Sequence, residues 1–454
     1  MTMTETLDRI HELVQRSDLA ALAAYTAEAP LPEISDLLDR LSPADAAVLF
    51  RMLAKDTAMD VFERLEAAAQ ADLITELADA EVVGVFEALD PDDVVGLLDE
   101  LPATVTKRLL KSLSARQRAA TAPILGYPQG SIGRRMSPEY MIARPQERVS
   151  TVLERMRANE AEYETIYTVP VVDRSRTLVG VVSLRELLRA EDADQVESVM
   201  NSAVSVKARE SDEFAARRCL DGGLLAIPVV DNESRLVGLL TIDDAIRIIR
   251  AAEDEDQARA GASEPLRRTY LLTPVRAIAK ARAPWLLVLA VSAILTVQVL
   301  AMFESTLAQV TALMMFVPLL TGTGGNAGSQ AATTLTRALA MNDVGPKDVG
   351  RVAFKEVRTG FMLGLGLGSL GFVLSSVVFT LLQDSAFGIS IGSVIGLTLL
   401  AVCTMSATVG GLMPIIARAC RVDPAVFSTP FISTFCDATG LLIYFTIAQV
   451  VMGL

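Results

Sequence analysis

Asp437 is the tenth residue of an apolar stretch, STPFISTFCDATGLLIYF, where an ionisable side chain is conspicuous. A carboxylate at the centre of a bilayer costs at least about 2.5 kcal/mol, so it calls for an offset: protonation, water-filled space or a cation. A second apolar stretch, FVPLLTGTGGNAGSQAATTLTRALA (Phe316 to Ala340), carries Gly322, Gly324, Gly325 and Gly328 with Asn326, Ser329 and Gln330 at its middle. Polar and helix-weakening residues at membrane depth are tolerated where they face protein or water. Asn326 offers a side-chain carbonyl, and the glycine run offers backbone carbonyls wherever the helix loosens. Hard oxygen ligands without Cys or His suit magnesium or calcium rather than zinc or copper. The two stretches therefore read as walls of a cation path. The competing reading is an Asp capping a kink near Pro430 and glycines serving helix contact, and packing is the expected role of Gly364, Gly366 and Gly368.

A second set of carboxylates lies outside the apolar part. The run DPDD brings Asp90, Asp92 and Asp93 together, TIDDAIR holds Asp243 and Asp244, and AAEDEDQ holds Glu253, Glu255 and Asp256. Each could bind a divalent cation, but helix capping explains DPDD more simply, and a solvated face explains the last run. His11 is the only histidine, and Cys219, Cys403, Cys420 and Cys436 show no paired spacing. A disulfide framework, a zinc site and a Ser-His-Asp or Cys-His hydrolase are disfavoured, so the chain is expected not to be an enzyme.

These residues must be positioned by several units, because 454 residues exceed one ordinary domain. The chain is 51% hydrophobic with a formal charge of −14, yet residues 1–282 are charged and residues 283–454 nearly continuously apolar. The acidic balance disfavours nucleic acid as a partner. Residues 1–130 read as short amphipathic helices in a superhelical stack: LPEISDLLDRL, SPADAAVLFRML, TAMDVFERL, AEVVGVFEAL, DPDDVVGLLDEL and PATVTKRLLKSL. Two later segments, YTVPVVDRSRTLVGVVSLRELLRA and AIPVVDNESRLVGLLTIDDAIRIIRA, repeat one frame of strand, turn, strand and helix about sixty residues apart. That frame resembles a tandem of CBS domains, covering 131–195 and 196–250. In such domains a Ser/Thr-x-x-Asp contacts a nucleotide ribose, which points to Thr241 and Asp244; the first repeat has Ser183 and Glu186 there. A connector (plug) helix over 251–282 follows, acidic and then basic.

Five membrane spans are predicted, with cores near Ala283–Phe303, Ala312–Ala340, Gly360–Leu382, Ile389–Ala417 and Ala425–Met452. Arg276, Lys280 and Arg282 precede the first, Lys347, Arg351, Lys355 and Arg358 separate the second and third, and Arg418 and Arg421 separate the fourth and fifth. The intervening loops carry no basic residue, which predicts a cytoplasmic N-terminus and an outside C-terminus. No signal-peptide core opens the chain.

The order helical acidic domain, CBS pair, connector and five spans resembles the MgtE family of magnesium channels. The most specific matches are VPLLTGTGGNAGSQ, VDPAVFSTPFISTFCDATGLLIYF and YPQGSIGRRMSPEY. The fold expected is thus a multidomain membrane protein: an all-α superhelical domain, an α/β CBS pair, a connector helix and a five-helix membrane domain (283–454). The resemblance implies a homodimer in a bacterial-type inner membrane, importing magnesium through a pore on the twofold axis. It further implies closure by cytosolic magnesium bound between the soluble domains and the connector. Carried over, Asp437 selects hydrated magnesium, helped by Asn326, the Gly322 carbonyl and Ser433, where the family usually has Ala. Asp92, Asp93, Asp243, Asp244, Glu253, Glu255, Asp256 and Asp423 fall at or near its regulatory positions, with ATP a candidate co-regulator. Gly96 and Arg247 stand where acidic residues are expected. The alternatives are a broader carrier of cobalt or manganese and a nucleotide-sensing regulator merely anchored in the membrane.

Overall fold

A computed structural model describes residues 3–454 apart from 17, 66, 78, 102–104, 107–108, 111–112, 159–162, 267–269, 341–342 and 421–428. The chain divides into two compact units: Met1–Glu253 with Arg267–Pro274, and Asp254–Leu266 with Val275–Leu454.

The first unit opens with eight short helices: α1 (Met3–Gln15), α2 (Leu19–Glu28), α3 (Leu31–Leu38), α4 (Pro43–Phe50), α5 (Lys55–Arg64), α6 (Ala67–Glu76), α7 (Asp79–Ala88) and α8 (Pro91–Glu100). Part of the predicted helix over 102–113 lies outside the described residues; α9 (Ala115–Leu125) ends the series. Proline at the first helical position starts α4 and α8, and the Ser42 hydroxyl accepts from the Asp45 amide at 3.2 Å. One continuous apolar core runs through the stack, from Ile10 and Leu22 through Phe62 and Ile74 to Val94, Leu97 and Leu113. No single helix of eight to thirteen residues could bury such a face alone. α6, which lacks a clean periodic stripe, was not among the expected helices and is held by that core through Leu73 and Ile74.

The repeated segments each form an antiparallel hairpin. In the first, preceded by α10 (Val149–Ala158), β1 (Thr168–Val172) pairs β2 (Leu178–Ser183), and α11 (Leu184–Arg189) follows. After α12 (Val196–Val199), a short β3 (Val206–Lys207) and α13 (Asp212–Asp221), β4 (Ala226–Val230) pairs β5 (Leu236–Thr241), with β3 parallel to β4. The aspartate closing each PVVD makes the turn. Asp173 Oδ1 accepts from the Ser175 and Thr177 amides at 2.8 and 2.9 Å, and Asp231 Oδ1 accepts from Glu233 and Arg235 at 2.9 and 2.8 Å. The tips then pair with each other, Leu178 N donating to Ser234 O at 3.0 Å and Leu236 N to Arg176 O at 2.9 Å. Two half-sites of one frame thus make one body.

The segment 251–282 is not a single helix. α14 (Ile242–Ala260) carries the acidic run as its continuation. It stops where Ala262 N donates to Arg259 O and Ser263 N to Ala258 O, at 2.9 and 3.0 Å, with Ala262 at φ +51°. This is a Schellman cap, followed by Pro265. The basic residues Arg276, Lys280 and Arg282 belong instead to the long helix α15 (Val275–Met302).

The second unit continues with α16 (Glu304–Gln309), α17 (Val317–Ala340), α18 (Val349–Leu382), α19 (Ser385–Ala419) and α20 (Thr429–Met452). Among the described residues four helices are long and apolar enough to cross a membrane: those over Val275–Met302, Pro346–Leu382, Ser385–Ala419 and Pro430–Met452. α17, the second predicted span, has 24 residues, but its central polar residues keep it out of that group. α18 and α19 meet along glycines one turn apart. A Cβ at Gly364 would lie 2.8 Å from Leu400 Cα, and one at Gly368 2.6 Å from the Gly396 carbonyl. Gly366 borders open space, so packing does not account for it. Its position, two residues from each of those glycines, turns it to the other side of the helix.

Candidate functional site

The membrane site is built where α17 lies against α20. Glycines let the two backbones approach: a Cβ at Gly325 would collide with Ser433 Oγ and come 3.3 Å from Asp437 Oδ1, and one at Gly328 would lie 2.9 Å from Cys436 Sγ. Ser433 and Asp437 are one turn apart on α20, so both meet Gly325. Asp437 Oδ1 is buried with no hydrogen-bond partner among the described residues. The glycine run does not loosen, contrary to expectation; α17 continues unbroken through it. The reason is lateral support, since Gly324 sits against Val402 and Ser406, and Gly410 of α19 against the Gly328 backbone. Gly322 and Asn326 are exposed, with Gln330 on the same face at the next turn. This polar stripe is left uncovered by the chain's own helices, and it neighbours the buried carboxylate. Arg337, the basic residue within this stretch, sits in the last turn of α17, three turns from Asn326.

The soluble acidic residues divide into those that converge and those that do not. Asp90, at the N-cap of α8, makes no side-chain capping bond, so the simple capping account of DPDD fails. Instead carboxylate oxygens of Asp90, Asp93 and Glu63 lie within 4.8 Å of one another, close enough to share a metal ion. Asp92 is 7% exposed, and its Oδ1 has no hydrogen-bond partner among the described residues. Burial first, and the charges of Asp93, Asp244 and Glu164 next, hold the Asp92 carboxyl well above its ordinary range. Burial and neighbouring acids likewise push Glu63 up to about 7, Asp93 to about 6 and Glu164 to about 8, with Arg247 pulling the other way on Glu63 and Asp93. The junction of the helical stack with the CBS pair is therefore a place where ionising the carboxyl groups costs free energy.

Asp244 joins this junction and Asp243, exposed, stands beside it. Thr241 Oγ1 donates to Asp244 Oδ2 at 2.8 Å, and Asp244 Oδ1 pairs with Arg247. The equivalent Ser183 and Glu186 form a capping box at α11, with Ser183 N donating to Glu186 Oε2 at 2.8 Å. The two repeats thus use the same offset for a local bond between a hydroxyl and an acid. Glu253, Glu255 and Asp256 lie further along α14, with Glu255 paired to Arg259 one turn on. Asp423 lies outside the described residues. Sequence reading passed over Glu63 and Glu164: each is separated from DPDD by tens of residues, and only the fold makes them neighbours.

The chain matches three family models: a divalent cation transporter domain (MgtE) over residues 317–447, the MgtE intracellular N domain over 30–130, and CBS domains over 130–193 and 196–251. It is 36% identical over 452 residues to a magnesium transporter MgtE of Thermus thermophilus, covering 98% of each chain. It is 32% identical to a magnesium transporter MgtE of Bacillus subtilis, covering 79% of this chain and 77% of that one. A solved cytosolic domain of the Mg2+ channel MgtE in complex with ATP covers 53% of this chain and 99% of its own, at 32% identity and a TM-score of 0.49. The helical stack, the paired CBS hairpins and the helices around Asp437 account for all three matched regions, and the chain belongs to the MgtE family of divalent cation transporters.

Proposed function

We propose that this chain is a magnesium channel or facilitative transporter in which Asp437 is the selecting carboxylate. The observation that carries the reading is the buried, unpartnered Asp437 Oδ1 facing Gly325 across a helix contact. In a bilayer that oxygen needs water or a cation. Magnesium dehydrates reluctantly, so one carboxylate with Ser433 and Asn326 nearby suits a hydrated ion. The exposed stripe of Gly322, Asn326 and Gln330 is unsuited to lipid, and it fits a homodimer that closes a wet path between two copies. In this reading α17 is the fifth membrane crossing, the N-terminus is cytoplasmic, the C-terminus lies outside, and the domain limits are those predicted above.

Magnesium on the cytosolic side, held at the acidic junction, favours the closed pore. Without it the carboxylates of Asp92, Asp93, Asp244, Glu63 and Glu164 repel one another, which weakens the hold between the domains. ATP enters as a further regulator, with Thr241 and Asp244 as residues for its ribose; a ribose hydroxyl would exchange for their mutual hydrogen bond. The test is magnesium flux into proteoliposomes, wild type beside Asp437→Ala, at low and high magnesium on the cytoplasmic side. Flux that needs Asp437 and falls at high magnesium supports pore and gate together. Equal flux from Asp437→Ala removes Asp437 from the mechanism, and cobalt or manganese flux matching that of magnesium makes the chain a broader carrier.

A further inference from the structure

The acidic junction holds one cation of its own. Arg247, on the second turn of α14, pairs through Nη2 with Asp244 Oδ1 and donates through Nη1 to the Glu63 carbonyl at 3.1 Å. Glu63 and Arg247 are 184 residues apart: one belongs to the helical stack and the other to the second CBS domain. Asp93 and Asp243 contribute further negative charge around the guanidinium. Asp92, which feels the charges of Asp93 and Asp244, keeps a buried carboxylate oxygen with no hydrogen-bond partner among the described residues. Arg is always charged and presents several donors in a fixed fork, so it can bridge an oxygen from each side as a bound metal ion would.

We propose that the Arg247 guanidinium is a resident cation of this junction, holding the helical domain against the CBS pair in place of one divalent ion. The soluble part therefore keeps a share of its closed arrangement without magnesium, and magnesium adds to it at the remaining carboxylates of Glu63, Asp90 and Asp93. The inference rests on reading the junction as a cation site. It does not require transport, so loss of flux would leave its test unaffected.

The backbone amides of Asp92 and Asp93 supply the readout. They sit in the first turn of α8, where amides have no backbone acceptor within the helix, and the Asp92 amide bonds its own buried carboxylate, so junction burial governs their protection. Hydrogen exchange of these amides is measured on the full chain in lipid nanodiscs, with magnesium and with EDTA. Wild type is expected to exchange less than about threefold faster in EDTA. Arg247→Gln is expected to exchange about tenfold faster in EDTA, the factor carried by one charge-assisted bond, and to recover with magnesium. Two outcomes overturn the proposal: Arg247→Gln as protected in EDTA as wild type, or wild type losing protection in EDTA as fully as the variant. Should the Gln variant not fold, Arg247→Lys replaces it, since a point charge cannot span both acceptors. About threefold faster exchange in EDTA is then expected, and unchanged exchange overturns the idea.

Discussion

The two acidic regions of this chain solve opposite problems. On the last apolar helix Asp437 has a buried oxygen without a hydrogen-bond partner among the described residues, and it faces a glycine across the contact. At the soluble junction Glu63, Asp90, Asp92, Asp93, Glu164 and Asp244 crowd together with Arg247, and burial plus mutual repulsion raise several of them. A lone carboxylate in apolar surroundings binds a cation because nothing else offsets its charge. A crowd binds one because the members repel one another, so occupancy changes how the domains sit. In the proposed function the first arrangement selects an ion and the second reports its concentration.

Breaking the lone site has the largest expected effect. Asp437→Ala should lower magnesium flux at least about a hundredfold while size-exclusion chromatography shows the same folded assembly, because the carboxylate proposed to select the ion is gone. Crowding the same contact comes next. Gly325→Val places branched carbons against Ser433 and Asp437, and overpacking of this kind costs about 1–3 kcal/mol. Its thermal unfolding temperature in detergent should fall and its flux should drop about tenfold or more.

The crowded site should respond more gently. Asp243→Asn with Asp244→Asn removes two charges, so the magnesium needed to halve flux from the cytoplasmic side should rise several-fold; unchanged block would count against the acidic gate. The pH dependence has a definite sign. Glu63, Asp93 and Glu164 reach about 7, 6 and 8 in the fold against 4.5, 3.8 and 4.5 outside it. Raised carboxyl groups support the closed junction below their ordinary values and lose that support as pH rises through the raised ones. In EDTA, exchange of the Asp92 and Asp93 amides should therefore speed up, beyond its intrinsic rise, between about pH 5 and pH 8. With magnesium the change should be smaller, because the ion takes over from the protons.

Much of the organisation was readable from residue order, because its causes are local. The PVVD turns required an acid two and four residues before the amides it binds, and both copies have it. The helical stack followed from periodic apolar residues, and the pairing of α17 with α20 from the two polar interruptions. Where reading failed, a neighbour from elsewhere in the chain decided. The glycine run stays helical because Val402, Ser406 and Gly410 brace it. The 251–282 segment breaks because Ala262 adopts a left-handed cap rather than continuing the helix. Asp90 turned from a cap into a member of an acidic cluster once Glu63 arrived beside it.

The sequence by itself determined the order of units, the repeat, the apolar helices and the isolated acid in the last of them, since each depends on composition or on spacing within one turn or one strand. Tertiary structure alone decided that Glu63, Asp92, Asp93, Glu164 and Asp244 meet, and that Arg247 reaches across to the Glu63 carbonyl. Electrostatic energy depends on distance through space, and residues 63 and 247 become neighbours only when the chain has folded.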